Sequence, residues 1–153
     1  MISRDGGVKV LEFNCRMGDP ETQPILMRLK SDLVALIEHA LAGTLDKAEA
    51  EWDRRVALAV VLAAHGYPDA PRKGDVIHGL PAPEDDCRVF HAGTTLSGKD
   101  VVTQGGRVLA VVALGGNVSA AQRRAYETVE KIRFEGVQFR RDIGHRALGS
   151  TRK

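Results

Sequence analysis

Apolar and polar residues alternate near the start of the chain, over residues 8–14. In an extended segment, Lys9, Leu11 and Phe13 lie on one face and the residues between them on the other. An Asp-Gly-Gly sequence precedes the segment, and such sequences favour hairpin turns. The pattern therefore predicts the second strand of a hairpin, followed by a loop over residues 15–21 that is rich in Gly, Asp and Pro.

The next apolar residues recur at intervals of three and four, which predicts a helix over residues 23–42. Thr22 is the predicted N-cap, because this choice puts Pro24 in the first turn, where its missing N–H breaks no hydrogen bond. A glycine follows at the position expected just beyond the helix. Ser31 and Asp32 also allow a restart, so the segment is either one helix or two.

From residue 54 the chain becomes rich in β-branched and apolar residues. The near-continuous apolar run over residues 54–64 is typical of a strand that is buried on both faces. The spacing of the segments after it predicts a small antiparallel β structure, either a barrel or a sandwich. Residues 136–148 add a short strand and a basic turn. The short β-rich segments, punctuated by Gly and Pro, are residues 76–77, 87–91, 94–96, 101–103 and 107–114.

Together these segments predict an α+β fold with two domains. Residues 1–48 would form a strand and a helix, and residues 49–153 a β-rich domain, with a hinge near residues 46–52. The β-rich domain contains one predicted helix, over residues 119–131, which Ser119 caps at its N-terminus. The residues of this helix and its end that should face the core are Ala125, Val129 and Ile132.

Composition and charge narrow the class of protein. The chain has 153 residues, of which 43% are apolar and 27% charged, and its net charge is +2. These values are ordinary for a globular protein and give no support to nucleic-acid or membrane-surface binding. The longest apolar run, residues 56–64, is much shorter than the roughly 20 residues of a membrane-spanning helix. Cys15 and Cys87 lack zinc-site spacing, and the N-terminus resembles no secretory signal, so we expect a reducing, cytoplasmic location.

Three polar side chains share one face of the first predicted strand. Glu12, Asn14 and Arg16 alternate along it, within about 7 Å of one another. Carboxylate and amide oxygens are ligands that suit Mg²⁺, which commonly combines one or two carboxylates with substrate phosphates. An arginine beside them would contact the same phosphates through its planar guanidinium group. The alternative is a solvated strand face that ends in a turn, and the residues alone leave both interpretations open.

Six segments resemble, in the same order, motifs of the phosphoribosylamine–glycine ligase (glycinamide ribonucleotide synthetase) family. The first reads E-F-N-C-R-M-G-D-P-E-T-Q, and later ones include F-H-A-G-T and G-G-R-V-L. This family belongs to the ATP-grasp superfamily, so the resemblance implies that residues 1–48 are the end of an ATP-grasp domain. The six segments are residues 12–23, 60–68, 73–80, 89–94, 105–109 and 141–147.

The resemblance implies an ATP-dependent ligase of purine biosynthesis. Such an enzyme joins 5-phosphoribosylamine to glycine and cleaves ATP to ADP and phosphate through a glycyl phosphate intermediate. By the same resemblance, Glu12 and Asn14 are ligands of the Mg²⁺ (or Mn²⁺) that holds the ATP phosphates. Arg16 corresponds to the arginine that follows them and would stabilise the acyl phosphate as a catalytic residue. Asp19 and Glu21 correspond to the D-P-E loop on the substrate side, where they would position substrate.

Arginines in two other motifs are candidate ligands of substrate phosphate. Arg107 follows two glycines and would contact ATP or a ribose phosphate, although the same sequence is typical of a plain turn with a solvated arginine. Arg141 and Arg146 form a basic cluster with Arg140, and their alternative role is that of a charged surface loop.

Chains of this family are much longer, and the resemblance places residue 1 inside the ATP-grasp domain. The family's Gly-rich phosphate loop, adenine pocket and lysine-bearing strand have no counterpart before Glu12. We therefore expect a C-terminal fragment that is inactive alone, binds Mg·ATP no tighter than millimolar and has the missing N-terminal portion as its partner. Its uncovered apolar residues, such as Leu11, Phe13 and Leu29, should cause self-association or a packing against the C-terminal domain that differs from that in the full enzyme.

Two other functions remain open. A free-standing β-rich binding module would use the exposed strand and the apolar helix to dock a partner chain. Other ATP-grasp enzymes, biotin carboxylase among them, share an E-x-N-x-R strand and a β-rich C-terminal domain, but G-D-P-E and D-I-G-x-R-A disfavour them. The reading frame upstream of residue 1 separates the ligase from the module, since the ligase requires that frame to continue through an ATP-grasp region.

Overall fold

The structure is a computed structural model that describes residues 6–13 and 15–148. Its helices are α1 (Thr22–Arg28), α2 (Leu33–Leu41), α3 (Val118–Val129) and α4 (His145–Leu148), and Leu45–Lys47 forms a short 3₁₀ helix. Its strands are β1 (Val56–Ala63), β2 (Cys87–His91), β3 (Thr94–Ser97), β4 (Asp100–Thr103) and β5 (Arg107–Gly115).

A three-stranded antiparallel sheet in the order β1-β5-β2 forms the centre of the fold. β5 is the middle strand, and all of residues 108–114 are buried. β1 pairs with β5 along its length, with Val60 opposite Val111 and Leu62 opposite Leu109. Because both strands are almost purely apolar and rich in valine, they supply apolar side chains to both faces of the sheet.

Helices cover both faces of this sheet. On one face, β1 and β5 pack against α3, whose Ala125 and Val129 are buried in the same cluster as Leu62. On the other face, α1 contacts β1 and β5, and Leu26 of α1 lies beside Phe90 of β2. Every buried hydrophobic residue of the described chain lies between positions 58 and 134. The residues predicted to face the core, Ala125, Val129 and Ile132, are confirmed as buried.

β3 and β4 form a separate two-stranded antiparallel ribbon. An isolated bridge between Val76 and Val102 joins the ribbon to the segment before β2, and a bridge between Ala63 and Gln138 extends the end of β1. The predicted antiparallel, β-rich character is therefore confirmed. The observed sheet is open and covered by helices, so the expected barrel or sandwich is wrong for the described part of the chain.

The segment after α3 folds back over that helix. The Tyr126 hydroxyl donates to the Arg140 carbonyl at 2.7 Å and accepts the Ile143 N–H at 3.1 Å. Gln122 Nε2 donates to the Ile143 carbonyl at 2.7 Å. These bonds tie the C-terminal segment to α3, and the segment ends in α4, so this part of the chain has a second helix that the sequence did not predict.

The N-cap of α3 differs from the predicted one. The Asn117 side chain accepts the Ala120 N–H at 2.9 Å, so the helix begins at Val118 and Asn117, not Ser119, is the N-cap. Asparagine and serine are equally favoured at this position, so composition alone could not decide between two candidates so close together.

The first predicted strand does not form in the described residues. Residues 9–13 have no regular secondary structure, and Asn14 lies outside the described residues. A strand needs a neighbouring strand to accept and donate its backbone hydrogen bonds. Neither described sheet includes residues 9–13, so the alternating pattern here is not matched by a ladder.

The long predicted helix is divided into α1 and α2, which is the second of the two alternatives. Leu29 leaves the helical conformation with ψ 121°, and Asp32 then caps α2 by accepting the Val34 N–H at 2.7 Å. The N-cap of α1 is Glu21 rather than the predicted Thr22. The restart therefore depends on a local side-chain cap, which stabilises a new helix beginning after the break.

The break between the helices is also where the chain contacts the segment that precedes β1. Leu29 forms an antiparallel bridge with Trp52, flanked by backbone hydrogen bonds of 2.7 and 2.9 Å. This pairing joins residues 28–30 to residues 51–53. The predicted hinge at residues 46–52, with a domain boundary after residue 48, stays a prediction. Among the described residues, none of the helices has the length and apolar character needed to cross a membrane.

Candidate functional site

The segment predicted to bind a metal is exposed. Glu12 lies on the surface, as do Leu11 and Phe13 on either side of it. Asn14, the other predicted ligand, lies outside the described residues, so the relative orientation of the two side chains stays a prediction. Across residues 6–13 and 15–148, no group of three or more His, Cys, Asp or Glu side chains is placed to hold a metal ion.

The loop after this segment turns back on itself at Gly18. The backbone N–H and the hydroxyl of Thr22 both donate to the Gly18 carbonyl, at 3.0 and 2.5 Å. The Glu21 carboxylate lies directly over Gly18, since a Cβ added there would be 2.4 Å from Glu21 Oε2. Arg16 is exposed, and its Nη1 donates to the Met17 carbonyl at 3.2 Å. The loop thus has a defined turn, with Arg16 and Glu21 both at its surface.

Two of the predicted site residues, 88 positions apart, meet in the structure. Arg107 Nη1 donates to the Asp19 backbone carbonyl at 3.0 Å, and Nη2 lies 3.3 Å from Asp19 Oδ2. The two side chains are 43% and 50% exposed. Arg107 is therefore not a plain solvated turn residue. It is the first residue of β5, and its guanidinium group connects that strand to the D-P-E loop.

A cavity of about 420 Å³ lies beside Arg107. Tyr67 forms one wall and packs directly on Gly106, where a Cβ would lie 2.4 Å from Tyr67 Cδ2. Glycine at 106 is therefore required by the aromatic ring of the G-Y-P turn. The cavity brings two of the resemblance segments, residues 60–68 and 105–109, to the same place as residues 138–140. Its lining residues are Val61, Ala63, Tyr67, Arg107, Gln138, Phe139 and Arg140.

The arginines of the C-terminal segment differ in their surroundings. Arg140 is bidentate to Asp142, with Nε–Oδ1 2.9 Å and Nη2–Oδ2 2.8 Å. These hydrogen bonds lower the pKa of the Asp142 carboxyl and raise that of Arg140. Arg141 lies over the Phe139 ring, with its guanidinium carbon 4.9 Å from the ring centroid. Arg146 is exposed on α4. The predicted substrate ligands Arg141 and Arg146 thus lie on the surface, and they do not line the cavity beside Arg107.

A charged cluster at the start of β1 was not predicted. Arg55 donates to Asp53 through Nε and Nη2, the latter at 2.7 Å, and pairs with Asp86 at 2.5 Å. Hydrogen bonds from the Arg55 side chain and backbone lower the pKa of the Asp53 carboxyl to about 2. Arg28 of α1 donates twice to the Asp53 carbonyl, at 3.1 and 3.0 Å. The only sequence signal is the Asp-Arg-Arg run before the strand, and it does not reveal the partners from α1 or residue 86.

This cluster borders a cavity of about 650 Å³. The cavity lies between α1 and β1, with Ile25 and Trp52 among its walls and Arg28 and Arg55 at its polar side. Its position at the contact between the N-terminal helix and the sheet indicates a junction within the chain. We therefore interpret the charged cluster as a structural contact between α1 and the sheet.

Known proteins are similar to this chain over nearly all of its length. A protein from Ralstonia nicotianae named phosphoribosylamine–glycine ligase is 60% identical over 148 residues, which is 97% of this chain and 35% of that protein. The protein of the same name from Pseudomonas aeruginosa is 58% identical over 153 residues, 99% of this chain and 36% of that protein. The chain therefore spans about a third of the length of the curated relatives it matches.

A solved structure agrees with the fold. The crystal structure of phosphoribosylamine–glycine ligase from Thermotoga maritima superposes with a TM-score of 0.71 at 40% identity, covering 92% of this chain and 34% of that one. Residues 57–146 match the family described as phosphoribosylglycinamide synthetase, C domain. The predicted resemblance is thereby confirmed, and the chain belongs to the phosphoribosylglycinamide synthetase C-domain family.

Proposed function

We propose that this chain is the C-terminal part of an ATP-dependent ligase that joins 5-phosphoribosylamine to glycine. The observation that carries the proposal is the near-complete alignment of the chain with one third of proteins named phosphoribosylamine–glycine ligase. Alone, the chain would be inactive, because the phosphate and base contacts that hold ATP belong to the remaining two thirds. The ATP-grasp assignment of residues 1–48 is part of this proposal.

The N-terminal region supports a missing partner. α2 has the sequence LVALIEHAL, which is apolar around most of its circumference, yet no residue of α2 is buried. Val34 and Leu41 are 62% and 84% exposed. A helix that is apolar all round is normally enclosed by protein. We infer that the N-terminal portion of the same ligase covers α2 and residues 8–13, and that the chain has this portion as its partner.

The donor chemistry near residue 12 fits Mg²⁺ or Mn²⁺. Glu12 is exposed and offers a carboxylate, and Asn14 would add an amide oxygen, which together form a hard-oxygen pair. When bound, the metal would neutralise charge on the phosphates of ATP. Arg16, four residues after Glu12, would stabilise negative charge on the acyl phosphate by hydrogen bonding and electrostatics.

The loop and the C-terminal segment supply the proposed substrate contacts. Asp19 and Glu21 lie on the turn after Arg16, where they would position substrate. Arg141 and Arg146 are surface guanidinium groups that remain candidates for a substrate phosphate.

A chimeric enzyme tests this function. The chain would replace the matching third of the Ralstonia nicotianae ligase, and ADP release would be measured with glycine and 5-phosphoribosylamine. The chimera should be active only with both substrates, and the isolated chain should be inactive. A folded chimera without activity, or an active isolated chain, would overturn the proposal.

The alternative is a free-standing binding module that uses α2 to dock a different protein. The exposed apolar surface of α2 is the observation in its favour. The ligase explains the same surface together with the similarity over residues 1–57, which a C-domain module alone does not require. An upstream reading frame that ends just before residue 1 would favour the module.

A further inference from the structure

We propose that Arg107 is a positioning residue that holds the D-P-E loop against the central sheet, and that it is not a ligand of substrate phosphate. The kinetic consequence rests on the proposed ligase function, whereas the structural consequence does not. The sequence predicted a substrate-binding role for Arg107. In the structure both of its terminal nitrogens, Nη1 and Nη2, contact Asp19.

Both terminal nitrogens of Arg107 are directed at one residue. Nη1 donates to the Asp19 carbonyl at 3.0 Å, and Nη2 pairs with Asp19 Oδ2 at 3.3 Å. A planar fork that contacts a carbonyl and a carboxylate of the same residue fixes both the position and the orientation of that residue. A substrate phosphate at this place would have to displace Asp19 from both contacts.

Arg107 is mounted on a rigid element. Its carbonyl accepts the Gly93 N–H at 2.9 Å, and the neighbouring Gly106 carbonyl accepts the Ala64 N–H at 2.9 Å. The residue after it, Val108, is fully buried. Side chains held by strands position their partners more precisely than side chains held by loops. Because Arg107 belongs to the sheet, its contacts hold Asp19, and with it the loop, at a fixed place relative to the sheet.

The far end of the loop has a second attachment, through the turn that leads into α1. Thr22 closes the turn on Gly18, and α1, which begins at Thr22, contacts β1 and β5. With α1 held by the sheet and Asp19 held by Arg107, the path of residues 18–22 is fixed at two points. Arg16 lies two residues before this stretch, so the position of the proposed catalytic arginine follows that of the segment that Arg107 holds.

The pair is too exposed to stabilise the whole fold. Half-exposed ion pairs contribute little to global stability, because solvent screens them and long side chains lose entropy on pairing. We therefore expect the loss of Arg107 to loosen the loop while the sheet remains intact. This separation between local and global effects is what distinguishes positioning from general structural support.

Amide hydrogen exchange on the isolated chain tests the structural claim. In R107Q the protected amides of Thr22 and Ile25 should exchange about fivefold faster, while those of Val111 and Val112 should be unchanged. R123Q is the matched control, because Arg123 forms an exposed pair with Glu127 on α3, away from the loop. The double variant R107D/D19R should recover part of the protection. Unchanged exchange at Thr22 and Ile25 in R107Q would overturn the proposal.

Steady-state kinetics of the chimera tests the functional claim. R107Q should lower kcat roughly tenfold with less than a twofold change in the KM for 5-phosphoribosylamine, because the loop beside Arg16 is misplaced while the candidate phosphate contacts, Arg141 and Arg146, lie outside that loop. R107K should recover part of kcat, since it restores one contact with Asp19. A large rise in that KM with unchanged kcat would identify Arg107 as a substrate ligand and overturn the proposal. Failure of the unmodified chimera would instead count against the ligase, and the exchange measurements would still decide the role of Arg107.

Discussion

The two parts of this chain differ in how far their apolar side chains are buried. Among the described residues of 6–57, none is buried. The apolar side chains of Val8, Phe13 and Leu41 are more than four-fifths exposed. Beyond residue 57, β1, β5 and α3 enclose a continuous cluster of buried aliphatic side chains. Both regions contain many apolar residues, so the difference lies in what those side chains pack against. The C-terminal part has a hydrophobic core of its own, whereas the N-terminal part has an exposed apolar surface.

The helices illustrate the same contrast. α3 has apolar residues on one face, where Ala121, Ala125 and Val129 are buried, and charged residues on the other. α2 is apolar around most of its circumference, and none of its residues is buried. An amphipathic helix is complete when it covers one sheet, whereas an apolar helix requires protein around it.

The largest effect is expected in the core. Leu109→Ala removes a side chain that is 1% exposed at the centre of the sheet, and it should cost about 2–5 kcal/mol of unfolding free energy. Leu41→Ala is the matched control, and because Leu41 is 84% exposed it should change that free energy by less than about 0.5 kcal/mol. Urea denaturation measures both. Equal losses would show that α2 is packed in solution and would remove the contrast.

Self-association should depend on the N-terminal part. The double variant V34K/L41K should shift the chain towards monomer in sedimentation velocity, because it puts charge on the exposed apolar surface of α2. Leu96→Lys is the control, since Leu96 is 72% exposed on β3 and lies far from α2 in the sequence. A clean monomer already in the unmodified chain would contradict the expectation.

The junction between the two parts should respond to acid. The folded pKa of Asp53, about 2, is below its ordinary value of 3.8, so its carboxylate stabilises the fold above that ordinary value. This contribution is lost as the pH falls from about 4 towards 2. D53N should therefore be less stable than the unmodified chain at neutral pH, and the difference in melting temperature should narrow below pH 3. A constant difference across this range would exclude the assigned pKa.

The smallest expected signal is that of nucleotide binding. Titration of the isolated chain with Mg·ATP in a calorimeter should detect no binding tighter than millimolar, because two oxygen donors and one arginine give few contacts. The chimera provides the positive control. Micromolar binding by the isolated chain would mean that the N-terminal part is already a complete nucleotide site.

The sequence predicted best where local pattern and packing agree. β2, β4, β5 and α3 were found near their predicted positions, because apolar runs between glycines and a helical spacing are sufficient signals there. Residues 9–13 do not form the predicted strand, and neither described sheet includes them, because an alternating pattern alone does not determine whether a segment joins a sheet. The division between α1 and α2 depends on the Asp32 cap, whose side chain accepts the Val34 N–H. The spacing of the apolar residues is compatible with one helix or two, so it does not predict the break.

The candidate site was predictable only residue by residue. The motif resemblance selected Glu12, Arg16 and Asp19, but no pattern indicated that Asp19 would meet Arg107 from 88 positions away. The same holds for Asp86, which joins Arg55 through the fold of the chain and not through spacing. Contacts of this kind depend on which loops the sheet brings together, and a linear pattern does not contain that information.

The chimera with Glu12→Ala tests the central claim most directly. If the exposed segment supplies a metal ligand to the ligase, this substitution should abolish Mg²⁺-dependent ADP release while the circular dichroism spectrum and melting temperature stay unchanged. Glu51→Ala, at an exposed glutamate that pairs with Lys30 at the surface, is the control and should retain activity. Near-normal turnover by the Glu12→Ala chimera would contradict the account.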